Sequence, residues 1–241
     1  MLPPAPWRLE PLVRFLTVLL LAVGAAGIGL SLAARQAGVT AENPPFWFVA
    51  GGTVAFHGPL AVLLLLLLAW QGVAWRPAFR LGTPDWRRAV AWGAAAGLLV
   101  IPLALALQAA AIRLLTALGV VAGEQVAVAA LRQHDAPWQL ALLGAGAVLL
   151  APVTEEHLFR GVLYRAGLVR FPRAVAALLT SGLFAVSHGN LSVLLPLLAL
   201  GLVWTWLYEH TGDLLAPIVS HALFNAVNFA LIISGAYAPA A

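Results

Sequence analysis

The chain has 241 residues, of which 62% are hydrophobic and only 9% charged, and its mean hydropathy is +0.95. Soluble domains carry roughly a quarter charged residues, so this composition excludes a soluble globular protein and indicates an integral membrane protein. The formal net charge of +4 rests on 13 arginines without any lysine, and there is no cysteine. Disulfides and thiol catalysis are excluded, and no basic block typical of nucleic-acid binding occurs.

Seven apolar stretches follow one another along the chain and predict membrane-spanning helices. About 20 residues of helix cross a hydrocarbon layer of roughly 30 Å, and only the fifth stretch is clearly short of that. Uninterrupted Leu, Ala and Val runs favour helices over barrel strands, which alternate apolar and polar positions. We therefore predict an all-α fold, a polytopic transmembrane helix bundle of about seven spans. The predicted spans are residues 13–34, 47–75, 89–118, 138–164, 174–188, 191–209 and 213–235.

The arginines concentrate in alternate connections between the predicted spans. The other connections carry only Arg35 and Arg132. By the positive-inside rule the N-terminus is cytoplasmic, and seven spans place the C-terminus outside. The arginine-only basic set indicates a bacterial protein, so we expect a multi-pass protein of the inner, or plasma, membrane. The arginines of the alternate connections are Arg8, Arg14, Arg76, Arg80, Arg87, Arg88, Arg165, Arg170 and Arg173.

A cluster of charged residues lies inside the fourth predicted span. An ionisable group there costs about 2.5–3.5 kcal/mol on insertion scales, so it invites a functional hypothesis. Glu156 precedes Arg160 by four residues, which predicts an ion pair on one helix face. Glu155 points about 100° away and has no local partner, so it is a candidate general base. Alternatively, both glutamates cap a cytoplasmic helix end in headgroup water.

Two more polar patterns follow in the last three spans. Phe184 and His188 share a helix face, and a lone histidine there is often a satisfied bundle residue. His221, Asn225 and Asn228 form a stripe at i, i+4 and i+7. Its first two members could stabilise an oxyanion, although asparagine also joins membrane helices by hydrogen bonds, a role that fits Asn228 better.

The three patterns together resemble the CPBP family of intramembrane proteases, which includes the type II CAAX prenyl endopeptidases and bacteriocin-processing or self-immunity proteins. Glu155-Glu156-x-x-x-Arg160 matches the first family motif. Phe184-x-x-x-His188 matches the second, and His221-x-x-x-Asn225 the third. The ordered triplet in a polytopic chain is a specific signal. It covers roughly residues 140–230.

The resemblance implies an intramembrane endopeptidase and gives each motif residue a role. Glu155 and His188 would activate water, and His221 and Asn225 would stabilise the oxyanion. Glu156, Arg160 and Phe184 would support these catalytic residues. Residues 1–241 would form one membrane domain, with variable spans in residues 1–137 and a catalytic core in residues 138–235.

Cofactors and partners follow from the same reasoning. No cofactor is expected to be required, although Glu155, His188 and His221 are residue types that could ligate zinc. The expected partners are the lipid bilayer and a membrane protein or peptide substrate, without nucleic acid; substrate identity and oligomeric state are left open. Alternative functions are a transporter or proton relay using the same Glu/His cluster, or a non-catalytic membrane scaffold.

One feature of the predicted spans opposes a shared site. At 1.5 Å per residue, His221 lies about 12 Å and His188 about 21 Å from the same predicted membrane side. Span 5 must therefore tilt or begin within the membrane if these side chains are to meet.

Overall fold

The computed structural model describes residues 2, 5–40, 44–120 and 125–236. These residues form helices and no strand, which confirms the all-α prediction. A single continuous helix, α6, contains both glutamates and passes through two π-helical segments. The helices are α1 Leu9–Gln36, α2 Phe46–Gln71, α3 Trp75–Phe79, α4 Trp86–Ala117, α5 Val126–Gln133, α6 Pro137–Gly167, α7 Arg173–Ser187, α8 Leu191–Thr211 and α9 Leu215–Ile233.

Six of these helices are long and apolar enough to cross a membrane, namely α1, α2, α4, α6, α8 and α9. The remaining predicted span, the fifth, is the one expected to be short, and it corresponds to a shorter apolar helix. The fifth predicted span, residues 174–188, is α7, whose 15 residues extend only about 22 Å. Gly189, with φ of +63°, ends it, and the Asn190 side chain accepts the Ser192 N–H to start α8 at once. The second predicted span also ends early, because Gly72 terminates α2 in a left-handed conformation.

The two ends of the bundle differ in charge. At one end the start of α1 meets the end of α2, where the Arg8 backbone N–H donates to Gln71 Oε1 (2.9 Å). The same end contains the ion pair of Arg173 with Glu209. We call it the arginine-rich end. At the opposite end, α2 and α6 begin side by side, with the rings of Phe46 and Trp138 4.9 Å apart.

The arginine-rich end is closed by α3 and the loop after it. Asp213, just before α9, is fully buried and accepts N–H bonds from Gly82 (3.1 Å) and Thr83 (2.6 Å). Arg80 Nε donates to the Gly212 carbonyl oxygen (2.8 Å) across the same junction. Helix α9 thus begins inside the protein, beneath residues 80–83. The helix that begins inside the protein is therefore the last span and not the fifth. His221 lies deeper than its predicted span implies, which reduces the expected difference in depth between His221 and His188.

Helix α4 belongs to the part of the chain predicted to vary, yet it packs along both α8 and α9. The contact is close because glycines face α9. A Cβ built on Gly93 would lie 2.4 Å from the Ala216 carbonyl oxygen, and one on Gly97 would lie 2.9 Å from that of Ser220. Since Ser220 precedes His221, the fit of α4 sets the position of a candidate catalytic residue.

Replacing Gly93 by alanine is expected to destabilise the protein by about 1–3 kcal/mol, because the added methyl group meets backbone rather than a movable side chain. Thermal unfolding in detergent measures the effect. Gly24→Ala is the control, since no atom lies within 4 Å of its added methyl group and alanine favours a helix. Equal melting temperatures for the two variants would contradict the proposed packing of α4 on α9.

Candidate active site

The two glutamates lie on a short α-helical turn between two π-helical segments of α6. The α-helical turn comprises Ala151–Glu156. The π-helical segments are Gly146–Leu150 before it and His157–Tyr164 after it. Such wide turns often accompany functional sites. Glu155 is 8% exposed and Glu156 is fully buried, so neither caps a helix end in headgroup water. That alternative is wrong because both lie well inside a 31-residue helix.

Glu156 forms the ion pair with Arg160 that the spacing predicts. Arg160 Nη1 donates to Glu156 Oε1 (2.9 Å), and both side chains are buried. Arg160 Nη2 donates to the Gly201 carbonyl oxygen of α8 (3.0 Å). The guanidinium also lies over the rings of Phe184 (4.8 Å) and Trp204 (5.3 Å). One arginine therefore joins α6 to α7 and α8.

His221 lies against both glutamates. Its Nδ1–H donates to Glu156 Oε1 (2.9 Å), and its Nε2 is 3.9 Å from Glu155 Oε2. The ring stacks on Trp204 with centroids 4.0 Å apart, which fixes its plane. In the neutral form this leaves the Nε2 lone pair directed toward Glu155.

His188 is half-buried just after the end of α7. Its Nδ1–H donates to the Phe184 carbonyl oxygen (2.8 Å), so its Nε2 is an acceptor in the neutral form. The buried Phe184 ring makes edge contacts with the rings of His188 (4.8 Å) and His221 (6.0 Å). The phenyl group therefore holds apart the two histidines of the motifs.

The two asparagines of α9 behave differently. Asn225 Nδ2 donates to the Ala147 carbonyl oxygen (2.8 Å) in the first π segment of α6, which leaves its second amide hydrogen for another acceptor. Asn228 Nδ2 donates to Phe224 of its own helix (2.8 Å). The helix-joining role predicted for Asn228 is thus taken by Asn225, since the side chain of Asn228 reaches the nearer carbonyl four residues back.

All four predicted catalytic residues line one cavity of about 320 Å³. The catalytic residues lie at its inner end, and its walls are mainly apolar but include Thr53, Gln108, Gln125 and Asn228. His57 of α2 also lines it, with Nε2 3.9 Å from Glu155 Oε1. In the sequence, His57 is an isolated ionisable residue inside the second predicted span, and none of the three motifs includes it. Its occurrence within a predicted span was the only available signal.

The possible zinc ligands are not arranged as a metal centre. Glu155, His188 and His221 line the same cavity, but among the described residues no three His, Asp or Glu side chains form a group placed to hold a metal ion.

The fold and the site define a polytopic helical membrane protein with a buried glutamate-histidine centre. Residues 137–227 match the protein-family profile described as "Type II CAAX prenyl endopeptidase Rce1-like". This region, which is less than half of the chain, is similar to the type II CAAX prenyl endopeptidase, or CPBP, family of membrane peptidases, as the motifs imply.

A curated protein is also similar to part of the chain. The chain is 30% identical over 77 residues to the "Putative membrane peptidase YdiL" of Bacillus subtilis (strain 168). The aligned segment spans about a third of each protein, 32% of this chain and 32% of the relative. No solved structure matches the chain.

Proposed function

We propose that the protein is an intramembrane endopeptidase that hydrolyses a peptide bond of a membrane-associated protein or peptide. The observation that carries this proposal is the convergence of Glu155, His188, His221 and Asn225, from three helices, on one buried cavity. Ionisable residues at membrane depth are costly and mark functional sites. The match of residues 137–227 to a peptidase family supports the same conclusion.

Water activation is assigned to Glu155 and His188. Glu155 makes no ion pair with the buried arginine, which Glu156 occupies, so its carboxylate is available to take a proton from water. The Nε2 of His188 is a second acceptor on the same cavity, because its Nδ1–H is held by Phe184. The water oxygen attacks the carbonyl carbon, and the proton taken from it passes to the leaving amine nitrogen.

Oxyanion stabilisation is assigned to His221 and Asn225. The second amide hydrogen of Asn225 is a donor whose orientation the bond to Ala147 fixes in advance. His221 donates with Nδ1 to Glu156, so it needs a proton on Nε2 as well to donate to the oxyanion. The carboxylate of Glu156 is in position to stabilise that doubly protonated ring.

The substrate is a peptide segment with mainly apolar side chains, because most of the cavity wall beyond the catalytic residues is built from Leu, Val, Ala and Phe side chains. Its identity is sought by comparing membrane proteomes from cells with wild-type protein and with a Glu155→Gln variant. New protein termini near membrane spans are expected with the wild type only. Identical sets of termini in the two samples would contradict the peptidase assignment.

The protein is placed in the bacterial plasma membrane with its N-terminus in the cytoplasm. Support comes from the nine arginines at the start of span 1 or between predicted spans on that side. In the structure, Arg8, Arg80 and Arg173 all lie at the same end of the bundle. Passage of the chain through α7 as a short seventh crossing leaves the C-terminus outside.

Turnover is expected to survive exhaustive dialysis against a strong chelator. Glu155 and His188 accept the proton of the attacking water, so no metal ion is needed to generate a hydroxide. The purified protein is expected to contain far less than one zinc per chain by elemental analysis. Loss of activity that returns with stoichiometric zinc would overturn this prediction and point to Glu155, His188 and His221 as the ligands.

A further inference from the structure

His57 of α2 stands opposite His221 across the Glu155 carboxylate. Each imidazole Nε2 is 3.9 Å from a different carboxylate oxygen, His57 from Oε1 and His221 from Oε2. His57 is 7% exposed and lies outside residues 137–227, the region that matches the peptidase family. None of the three motifs includes it.

The hydrogen bonds around His57 fix which ring nitrogen is free. Thr154 Oγ1 donates its hydrogen to the Leu150 carbonyl oxygen (2.8 Å), so it accepts the Nδ1–H of His57 (2.7 Å). The Nε2 of His57 therefore directs a lone pair toward Glu155. Thr154 immediately precedes Glu155, so one helical turn holds both the histidine and the carboxylate.

The gap between His57 Nε2 and Glu155 Oε1 suits a hydrogen-bond donor that bridges them. At 3.9 Å the two atoms are too far apart for a direct hydrogen bond, and both are acceptors when the carboxyl is ionised. A water molecule or an amine nitrogen in contact with both would donate one hydrogen to each. These are the nucleophile and the leaving group of the proposed hydrolysis.

We propose that His57 is a further catalytic residue, which accepts a hydrogen of the attacking water beside Glu155 and passes it to the leaving amine. This assignment rests on the proposed function. In the step, a water O–H bond breaks while its oxygen bonds to the carbonyl carbon, and the proton moves to His57 or Glu155. The C–N bond then breaks, and that proton ends on the amine nitrogen.

The test uses purified full-length protein and a cleavable membrane peptide. His57→Ala is expected to lower kcat by about 10²-fold or more with little change in KM. Added imidazole is expected to restore part of the lost rate to His57→Ala but none to His57→Phe, whose ring fills the space. His210→Ala, which removes an exposed histidine outside the cavity, is the control and should keep wild-type kcat.

A purely structural His57 would give a different result. If it only tied α2 to α6 through Thr154, activity would fall in step with the melting temperature and imidazole would not rescue it. That outcome, or an unchanged kcat in His57→Ala, would overturn the assignment. Absence of cleavage by the wild-type protein would instead count against the proposed function itself.

A second inference concerns the side from which substrate enters. From the polar inner end, the cavity lining runs in one direction along every long helix that contributes to it. It follows α2 back to Val49, near the start of that helix, and α9 forward to Ile232, one residue before its end. In α6 it runs from Glu155 back to Leu143. All these residues lead to the end of the bundle opposite the arginines.

The arginine-rich end offers no comparable path among the described residues. Phe79, Tyr208 and Leu214 are almost completely buried there. Tyr208 donates its hydroxyl hydrogen to the Phe79 carbonyl oxygen (2.9 Å), and Leu214 N–H donates to that of Arg80 (3.1 Å). Helix α3 and the loop after it thus cover the end of α8 and the start of α9.

We infer that the cavity opens on the extracytoplasmic face, so that the substrate is a polypeptide segment presented at the outer surface of the membrane. The inference rests on the proposed function for its substrate and on the positive-inside rule for its orientation. The direction in which the cavity-lining residues run supports this inference, and that observation does not depend on the role of His57.

The native chain has no cysteine, so single cysteines report accessibility directly. Ile232→Cys and Val49→Cys are expected to react with a membrane-impermeant maleimide in intact cells, as does the exposed reference Gln36→Cys. Arg170→Cys, exposed at the arginine-rich end, should react only after the membrane is opened. Outside labelling of Ile232→Cys should also slow turnover at least tenfold.

Two outcomes would overturn the inference. One is labelling of both cavity variants only from the cytoplasmic side, together with Arg170→Cys. The other is the absence of labelling from either side. Because labelling needs no turnover, its result is separate from the success or failure of the peptidase assay.

Discussion

The Glu155→Gln variant is expected to fold normally and to lose about 10²–10⁴-fold or more in kcat, the range that a positioned general base contributes. Glutamine keeps the size and shape of the side chain. Its amide nitrogen can donate toward one of the two histidines, His57 or His221, and its carbonyl oxygen replaces the carboxylate oxygen that faces the other. The change therefore removes a proton acceptor without opening a cavity.

The rate is measured as single-turnover cleavage of a membrane peptide in detergent, with monodispersity and melting temperature recorded for each variant. Glu10→Gln is the matched control, because the same chemical change is made on the exposed first turn of α1. Wild-type turnover by Glu155→Gln would show that the carboxylate is not the base. An equal loss in Glu10→Gln would show that the assay responds to something other than the site.

Replacing Arg160 by alanine is expected to lower both stability and activity strongly. Removal of one member of a buried ion pair typically costs about 3–5 kcal/mol, because the remaining charge stays buried without a partner. Here the stranded group would be Glu156, which is fully buried and also holds His221 in place. Arg160 further donates to Gly201, so α8 loses a contact with α6.

The control is another glutamate-arginine pair with the same four-residue spacing. Glu10 and Arg14 are paired at 2.7 Å on α1, but both side chains are largely exposed. Loss of such a surface pair costs about 0.3–0.5 kcal/mol or less. Thermal unfolding in detergent should therefore show a large fall for Arg160→Ala and almost none for Arg14→Ala. Similar melting temperatures for the two variants would contradict the structural role given to the buried pair.

A double-mutant cycle separates the ion pair from the other contacts of Arg160. Glu156→Gln combined with Arg160→Met leaves no unpaired charge and keeps an apolar side chain over Phe184 and Trp204. The combined change should cost less than the sum of the two single changes. Strict additivity would show that Arg160 and Glu156 stabilise the protein separately.

The sequence alone determined the all-α membrane fold and the local pairings. Apolar runs long enough to span a bilayer can only be satisfied as helices, so composition and length were sufficient. The pair of Glu156 with Arg160 was equally predictable, because residues four apart meet on one face of any α-helix. The ordered motifs indicated the resemblance to the CPBP family for the same reason, since each lies within a short stretch of the chain.

Only the tertiary structure decided which distant residues share the site and from where it is reached. His57 lies beside Glu155 and is hydrogen-bonded to Thr154, which is 97 positions later in the chain. No local spacing encodes that contact. The late start of α9 depends on Asp213 being buried under residues 80–83, a contact between segments 130 positions apart. The direction of the cavity likewise depends on how six helices pack, because periodicity fixes the face of a helix but not its neighbour.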